Sequence, residues 1–352
     1  MRIISIGDLV TDFYYKNGKL VGLNGGMTSH NIIANIAKLG LETSVCGVCG
    51  DDMAGTIAIN SLKEVGTNID NVKIIKNVNT RCFHVSYQEL NGKLEFTSKK
   101  RCPVCNIKRW YEESKIEPND ILKQINKDDV LVFDNLNNKN QIIIDNCDNR
   151  KMLDLGQYFE LDDYSDNEIL EKIKNKFDII NLNERVEKYL KNRFSIKSLE
   201  EIYNILHPKM IIVLNERVEK YLKNRFSIKS IEDLYNILHP KMIIVTRGKK
   251  GSDFVFDNNK VNKELNNPEI EIDPTGAGDA FFSVFISEYI ENDFTIDSKF
   301  IDVTFEKSTK LTKKVVKKFG ARGHIQNLYR IKKVKNTCCK KVWCTRTYTK
   351  FI

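Results

Sequence analysis

Apolar and polar positions along this chain follow two rhythms. Short apolar runs stand at Ile3 to Ile6, Ser44 to Val48, Val130 to Phe133, Met152 to Leu155 and Ile179 to Leu182, each with the length of a buried strand. Between the first of them, apolar residues spaced three and four apart predict helices over Asn31 to Leu39 and Thr56 to Val65. Strands alternating with helices argue for an α/β domain around a largely parallel sheet. Two stretches break this alternation. Phe13 to Leu23 and Cys82 to Thr97 carry the pairs Asn17-Gly18 and Asn91-Gly92, the dipeptide of a type I′ turn, whose central residues need positive φ. They predict hairpins at about 10–24 and 80–100, forming a small β lid over one end of the sheet.

A tandem duplication interrupts the series. Leu182 to Val213 recurs as Leu214 to Val245 with 29 of 32 positions identical. In the first copy Val186, Tyr189, Leu190 and Phe194 have mixed helical spacing; a His-Pro break and the apolar run Met-Ile-Ile-Val follow in both. Two copies fall short of the three or so stacked repeats that a solenoid needs. Three strands, ending at Leu182, Leu214 and Thr246, then compete for two places beside fixed parallel neighbours. The expectation is that one helix-plus-strand unit is extruded from the core.

Composition narrows the function classes. The 352 residues are 41% apolar, and no apolar stretch approaches the ~18 residues of a membrane span. The opening run is short and interrupted by Asp8, so a cytoplasmic protein without membrane contact is expected. The formal charge of +9 is unevenly spread: residues 307–352 hold fifteen Lys and Arg and no Asp or Glu, leaving positions 1–306 acidic. Nucleic-acid binding is therefore confined to a basic, Cys-containing tail at 326–352. Cys102 and Cys105 have the spacing of half a zinc site, but Cys338, Cys339 and Cys344 offer no regular partner spacing, and reduced thiols are expected.

The residues that carry chemistry lie at 270–290. A strand-like segment leads through Asp273, Pro274 and Thr275 into Gly276-Ala277-Gly278 and then a helical run containing Asp279. Small residues at a helix start let backbone N–H groups approach a phosphate, where the helix dipole favours negative charge. A carboxylate in that first turn is placed to accept a hydroxyl proton. No G-x-x-x-x-G-K-[ST], H-E-x-x-H or G-x-S-x-G occurs.

DPTGAGDAF resembles the carboxy-terminal signature of the ribokinase-like (PfkB) family of carbohydrate kinases. Gly25-Gly26 with Asn31, the segment Gly50-x-Asp52-x-x-Gly55, the early Asp12, and Ile243 to Gly251 match further motifs in family order. The resemblance spans about residues 1–325. It implies a three-layer sandwich with a parallel core and a lid, and ATP-dependent phosphorylation of a sugar or sugar-like hydroxyl. It also implies roles: Asp279 as base, Gly276, Ala277 and Gly278 as anion hole, and Asp12, Gly25, Gly26 and Asn31 around the sugar. Asn183, Asn215, Thr246, Gly248 and Gly251 would lie along the nucleotide, with Mg2+ accompanying it and Asp273 helping to hold a monovalent cation such as K+. Pairing through the lid would give a homodimer.

Two departures stand out. Four residues separate Gly26 from Asn31, where the family usually shows three, so a different sugar-side turn is expected. In the family's N-x-x-E segment, Val186 and Val218 hold the acidic position; Glu187 and Glu219 come one residue late, and the alternative frame is Asn181 with Glu184. A nucleoside kinase on the same scaffold and a degenerate pseudokinase with a binding role are the alternative readings.

Overall fold

The apolar runs become strands, in the computed structural model of the chain, almost where the sequence places them. The structure describes residues 1–90, 93–111, 113–155, 172–173, 175–182, 211–265, 272–326 and 328. Two units can be distinguished: one holds Glu117–Pro268 and Thr295–Glu306, the other Arg2–Ile116, Glu269–Phe294 and the chain from Lys307 onward. Among the described residues no helix is long and apolar enough to cross a membrane.

The second unit begins with β1 (Ile3–Asp8), β2 (Val10–Lys16), β3 (Lys19–Gly25), α1 (Thr28–Leu39), β4 (Thr43–Gly50), α2 (Met53–Lys63) and β5 (Val72–Ile75). β1 pairs with β4, and β4 with β5, all parallel. The hairpin β2–β3 turns at Asn17 and Gly18, both at positive φ (49° and 73°), as the Asn-Gly pair predicts. β6 (Arg81–Leu90) and β7 (Lys93–Lys99) form the second hairpin. β2 and β6 pair in parallel, so the two hairpins make one separate sheet in the order β3-β2-β6-β7. Phe13, Tyr15, Leu23 and Cys82 on this sheet bury against Ala54 and Ile57 of α2.

The other unit carries α3 (Pro118–Leu122), β8 (Val130–Phe133), α4 (Asn138–Asp145), β9 (Arg150–Asp154), β10 (Ile179–Leu182) and β11 (Ile211–Asn215). After these come α5 (Glu216–Phe226), α6 (Ile231–Leu238), β12 (Met242–Thr246), β13 (Ser252–Phe256) and β14 (Asn259–Lys263). Its strands lie in the order β14-β13-β12-β11-β10-β9-β8, with β8 to β12 parallel and the last two antiparallel. The His-Pro break acts as expected, His239 ending α6 in the left-handed region.

The expected extrusion of a repeat strand is overturned. β11 lies between β10 and β12 and pairs in parallel with both, Ile179 opposite Ile211 and Ile211 opposite Met242. A parallel strand presents donors and acceptors on both edges, so a copied strand supplies the edge each neighbour needs. Ile211, Ile212, Val213 and Leu214 are all buried. Burying each contributes about 1.5–3 kcal/mol relative to exposure, on the order of 6–12 kcal/mol together, which an extruded strand would forfeit. The helical part of the first copy, including Asn183 and Val186, lies outside the described residues.

Candidate active site

Helix α7 (Ala277–Glu291) starts at Gly276, whose φ of 84° is open to glycine and strained for other residues. A side chain there would also strike the backbone of Ala321. No side chain caps this helix. Ala277 N–H donates to Pro274 O at 3.1 Å, and the Gly278 Cα faces open space. Asp279, in the first turn and half-buried, lies beside these backbone groups.

Asp273, fully buried, organises the approach to this turn. Its Oδ1 accepts Thr275 N–H at 2.9 Å, and its Oδ2 accepts Gly320 N–H at 2.8 Å and the Tyr87 hydroxyl at 2.7 Å. Burial first, and then the neighbouring Asp273 carboxylate, push the Tyr87 phenol far above its ordinary pKa, so it stays a donor.

The expected sugar-side residues gather in the same unit. Asn31 Nδ2 donates to Asp279 Oδ2 at 2.9 Å, joining α1 to α7. Asp12 on β2 accepts the Tyr14 hydroxyl at 3.2 Å, and a side chain at Gly26 would collide with the Asp12 carboxylate. Gly25 is equally crowded, against Ser61 and Arg322. Met27, the first of the four residues between Gly26 and Asn31, takes φ 74° as the N-cap of α1. Asp52 caps α2, accepting from Gly55 N–H at 2.8 Å and from Thr80, so the Gly50-Asp52-Gly55 motif is a helix start.

Sequence reasoning missed the loop Gly320–Gln326. Arg322, 1% exposed, donates to Asn31 Oδ1 (2.9 Å), Ser61 Oγ (2.8 Å) and the Gly26 carbonyl (3.2 Å). His324 meets Asn35 at 2.8 Å, and Gln326 donates to Asn24 at 2.6 Å. Only a single basic residue, Arg322, inside the Gly-bounded stretch Gly320-Ala321-Arg322-Gly323 marks this loop in the sequence.

The expected nucleotide residues lie in the other unit. Asn215 caps α5, accepting from Arg217 N–H (3.1 Å) and Val218 N–H (2.9 Å). Val218 is buried in the core, and Glu219 pairs instead with Arg247 at 2.6 Å. Arg247 also reaches Asp253 at 2.7 Å and sits between Thr246 and Gly248. Gly248 (φ 55°) and Gly251 (φ 104°) form the turn after β12, where a side chain at Gly251 would strike the Lys263 carbonyl. Asn181, in the alternative frame, donates to Asp154 at 2.5 Å. A cleft of about 450 Å³ opens beside these residues, lined by Glu216, Lys220, Lys223, Arg247 and Lys260.

Cys102 is buried with Phe13 and Tyr15, and Cys105 packs beside it. Among the described residues no group of three or more His, Cys, Asp and Glu is placed to hold a metal. The tail cysteines lie outside the described residues.

Comparisons with known proteins bear on the family and the fold. The model of the pfkB family carbohydrate kinases matches residues 118–324. No curated protein sequence matches the chain. Among solved structures, the nucleoside kinase of Methanocaldococcus jannaschii, a member of the ribokinase family, is 16% identical with a TM-score of 0.57, covering 92% of this chain and 94% of its own. A candidate ribokinase II from E. coli, solved with ATP and Mg2+, is 16% identical with a TM-score of 0.59, covering 92% and 95%. The aminoimidazole riboside kinase of Salmonella enterica, solved with its riboside and an ATP analogue, is 13% identical with a TM-score of 0.60, covering 91% and 95%.

Proposed function

Because this chain belongs to the pfkB family of carbohydrate kinases, we propose that it transfers the γ-phosphoryl group of ATP to a hydroxyl of a sugar or sugar-like small molecule. The observation that carries this reading is the 2.9 Å contact between Asn31 and Asp279, which brings the sugar-side helix to the carboxylate of the glycine-rich turn. Asp279 takes the hydroxyl proton as the oxygen attacks phosphorus, and the bond from phosphorus to the leaving oxygen of ADP breaks. Backbone N–H groups at the start of α7 stabilise the charge on the transferring group. Ala277 N–H already donates to Pro274 O, so the N–H groups of Gly276 and Gly278 are the first donors to test.

Asp12, Gly25 and Gly26 support the sugar side: a side chain at Gly26 would strike the Asp12 carboxylate and one at Gly25 would strike Ser61 and Arg322, so both positions require glycine. Thr246, Gly248 and Gly251 support the nucleotide side, where positive φ keeps the turn tight. Mg2+ would arrive on the nucleotide, with phosphates and water as its main ligands. Asn215 and Glu219 are held by the α5 cap and by Arg247, so the nucleotide side would have to release them before either served the metal. Asp273 accepts three hydrogen bonds, which by lone-pair count leaves its two oxygens about one further acceptor position, the one a monovalent cation would use.

A nucleoside is the second acceptor class, since the Methanocaldococcus jannaschii protein of this fold is a nucleoside kinase. An ADP-release screen across sugars and nucleosides, run beside Asp279→Asn, tests both. The expected result is turnover on one acceptor class and a fall of about 10²-fold or more in the variant, with nucleotide binding kept. Undiminished turnover by Asp279→Asn removes the base from the mechanism.

A further inference from the structure

We infer that Arg322 is a positioning residue that locks the Asn31 amide in one orientation and thereby holds the Asp279 carboxylate for proton transfer, a proposal that rests on Asp279 being the base. Its guanidinium is buried and forks to three elements: Asn31 on α1, Ser61 on α2 and the Gly26 carbonyl between β3 and α1. A guanidinium only donates and an ionised carboxylate only accepts. Asn31 stands between one of each, 2.9 Å from Arg322 Nε and 2.9 Å from Asp279 Oδ2. Its oxygen must face the arginine and its nitrogen the aspartate; the flipped amide would set oxygen against carboxylate and N–H against N–H. The arginine thus decides which end of Asn31 the base meets.

Ser61 shows that the guanidinium is seated by design of the hydrogen bonds around it. The Ser61 hydroxyl donates to the Ala58 carbonyl at 2.7 Å, which leaves its lone pairs for Arg322. The titratable and charged groups facing this chain of contacts are Asp12 and Tyr14 from β2, His30 from α1 and His324 from the loop itself. Burial and then Arg322 hold His30 down at about 3, and burial and then Lys314 hold His324 down at about 4. Burial and then Asp12 hold the Tyr14 phenol well above its ordinary range. These three stay neutral around pH 7, so their titration leaves the charge beside Arg322 unchanged in that range.

Arg322→Lys keeps the positive charge and loses the fork. The expected result is a roughly 10- to 100-fold fall in kcat/KM. The acid limb of the pH profile should move to higher pH, because the carboxylate loses a hydrogen bond that favours its charged form. Asn31→Ala, which removes the middle of the chain of contacts, should move the limb the same way, so the result does not depend on one buried substitution. Ser61→Ala removes one of the arginine's three contacts and leaves its bond to Asn31 in place, so it should move the limb less than Arg322→Lys does. Independently of turnover, the side-chain amide protons of Asn31, assigned by their loss in Asn31→Ala, should exchange slowly in the wild type and quickly in Arg322→Lys. Wild-type amide exchange and pH profile in Arg322→Lys, or an equal shift in Ser61→Ala, overturns the proposal and leaves the base standing. Wild-type turnover in Asp279→Asn overturns the base itself and the role of Arg322 with it.

Discussion

Tyr87 and Asp273 are 186 positions apart in the chain, and the tyrosine hydroxyl donates to the aspartate Oδ2 across 2.7 Å. This contact ties β6 of the small sheet to the segment that enters the glycine-rich turn. The ring of Tyr87 also meets Phe319 edge-on at 5.3 Å, beside Gly320, whose N–H shares the same aspartate oxygen. Tyr87→Phe should therefore lower stability by about 1.5–3 kcal/mol, since a buried carboxylate loses one of its donors. Urea denaturation of the variant measures this directly. A change below 0.5 kcal/mol or so would mean that the hydroxyl is not seated on Asp273 in solution.

Gly26→Ala separates the sugar side from the nucleotide side. The added methyl collides with the Asp12 carboxylate, which must then turn away. KM for the phosphoryl acceptor should rise about tenfold or more, with KM for ATP little changed. Steady-state kinetics with each substrate varied in turn gives the comparison. Equal rises in both would place Gly26 in the fold rather than at the acceptor.

Acid should destabilise the protein earlier than its carboxylates require. His30, His84 and His324 are buried and depressed to about 3, 4 and 4, burial being the first cause in each case. Below about pH 6.5 the unfolded chain takes up protons at these positions while the folded chain refuses them. Stability is therefore complete above pH 6.5 and falls as pH drops toward 4 and then 3, by roughly 1.4 kcal/mol per unit for each histidine. His30→Asn should show a shallower fall between pH 6.5 and 4 in urea midpoints. An unchanged slope would show that His30 is protonated in the folded protein.

The strands, the helices and the Asn-Gly hairpin were legible because each is written locally, in spacing or in a dipeptide. The left-handed turn at Gly276 and the helix start that carries Asp279 were legible because small residues and a helical run stand side by side there. The partners of Asp273 and Asn31 were not: Tyr87 and Arg322 lie 186 and 291 positions away, and no local pattern distinguishes a pinning tyrosine from a packing one. The place of β11 was misread for a different reason. Fixed pairs were assumed where an open parallel sheet accepts any strand that presents the same two edges.

Deleting Leu214 to Val245 should give a folded protein. The junction joins Val213 to Thr246, and the remaining Met-Ile-Ile-Val keeps the residues that face β10 on one side and β13 on the other. The helical segment left behind is identical to the deleted one at all but three positions. A cooperative thermal transition and retained ADP release are expected. Loss of cooperativity would show that the wider sheet is needed for the unit to fold.

Met210 to Val213 and Met242 to Val245 spell the same four residues. A folding chain with β10 in place therefore meets two identical candidates for its next neighbour, and β13 meets the same two. The nearer choice threads all three strands; the farther one skips a copy and leaves it looped out. Doubling the closed loop costs only about 0.6 kcal/mol in chain entropy, so the early encounter barely discriminates between them. Discrimination comes late, when β11 gains its second edge and its buried face. Refolding is thus expected to partition between two threadings of one text, the slower phase coming from chains that must unpair the wrong copy before the right one can close.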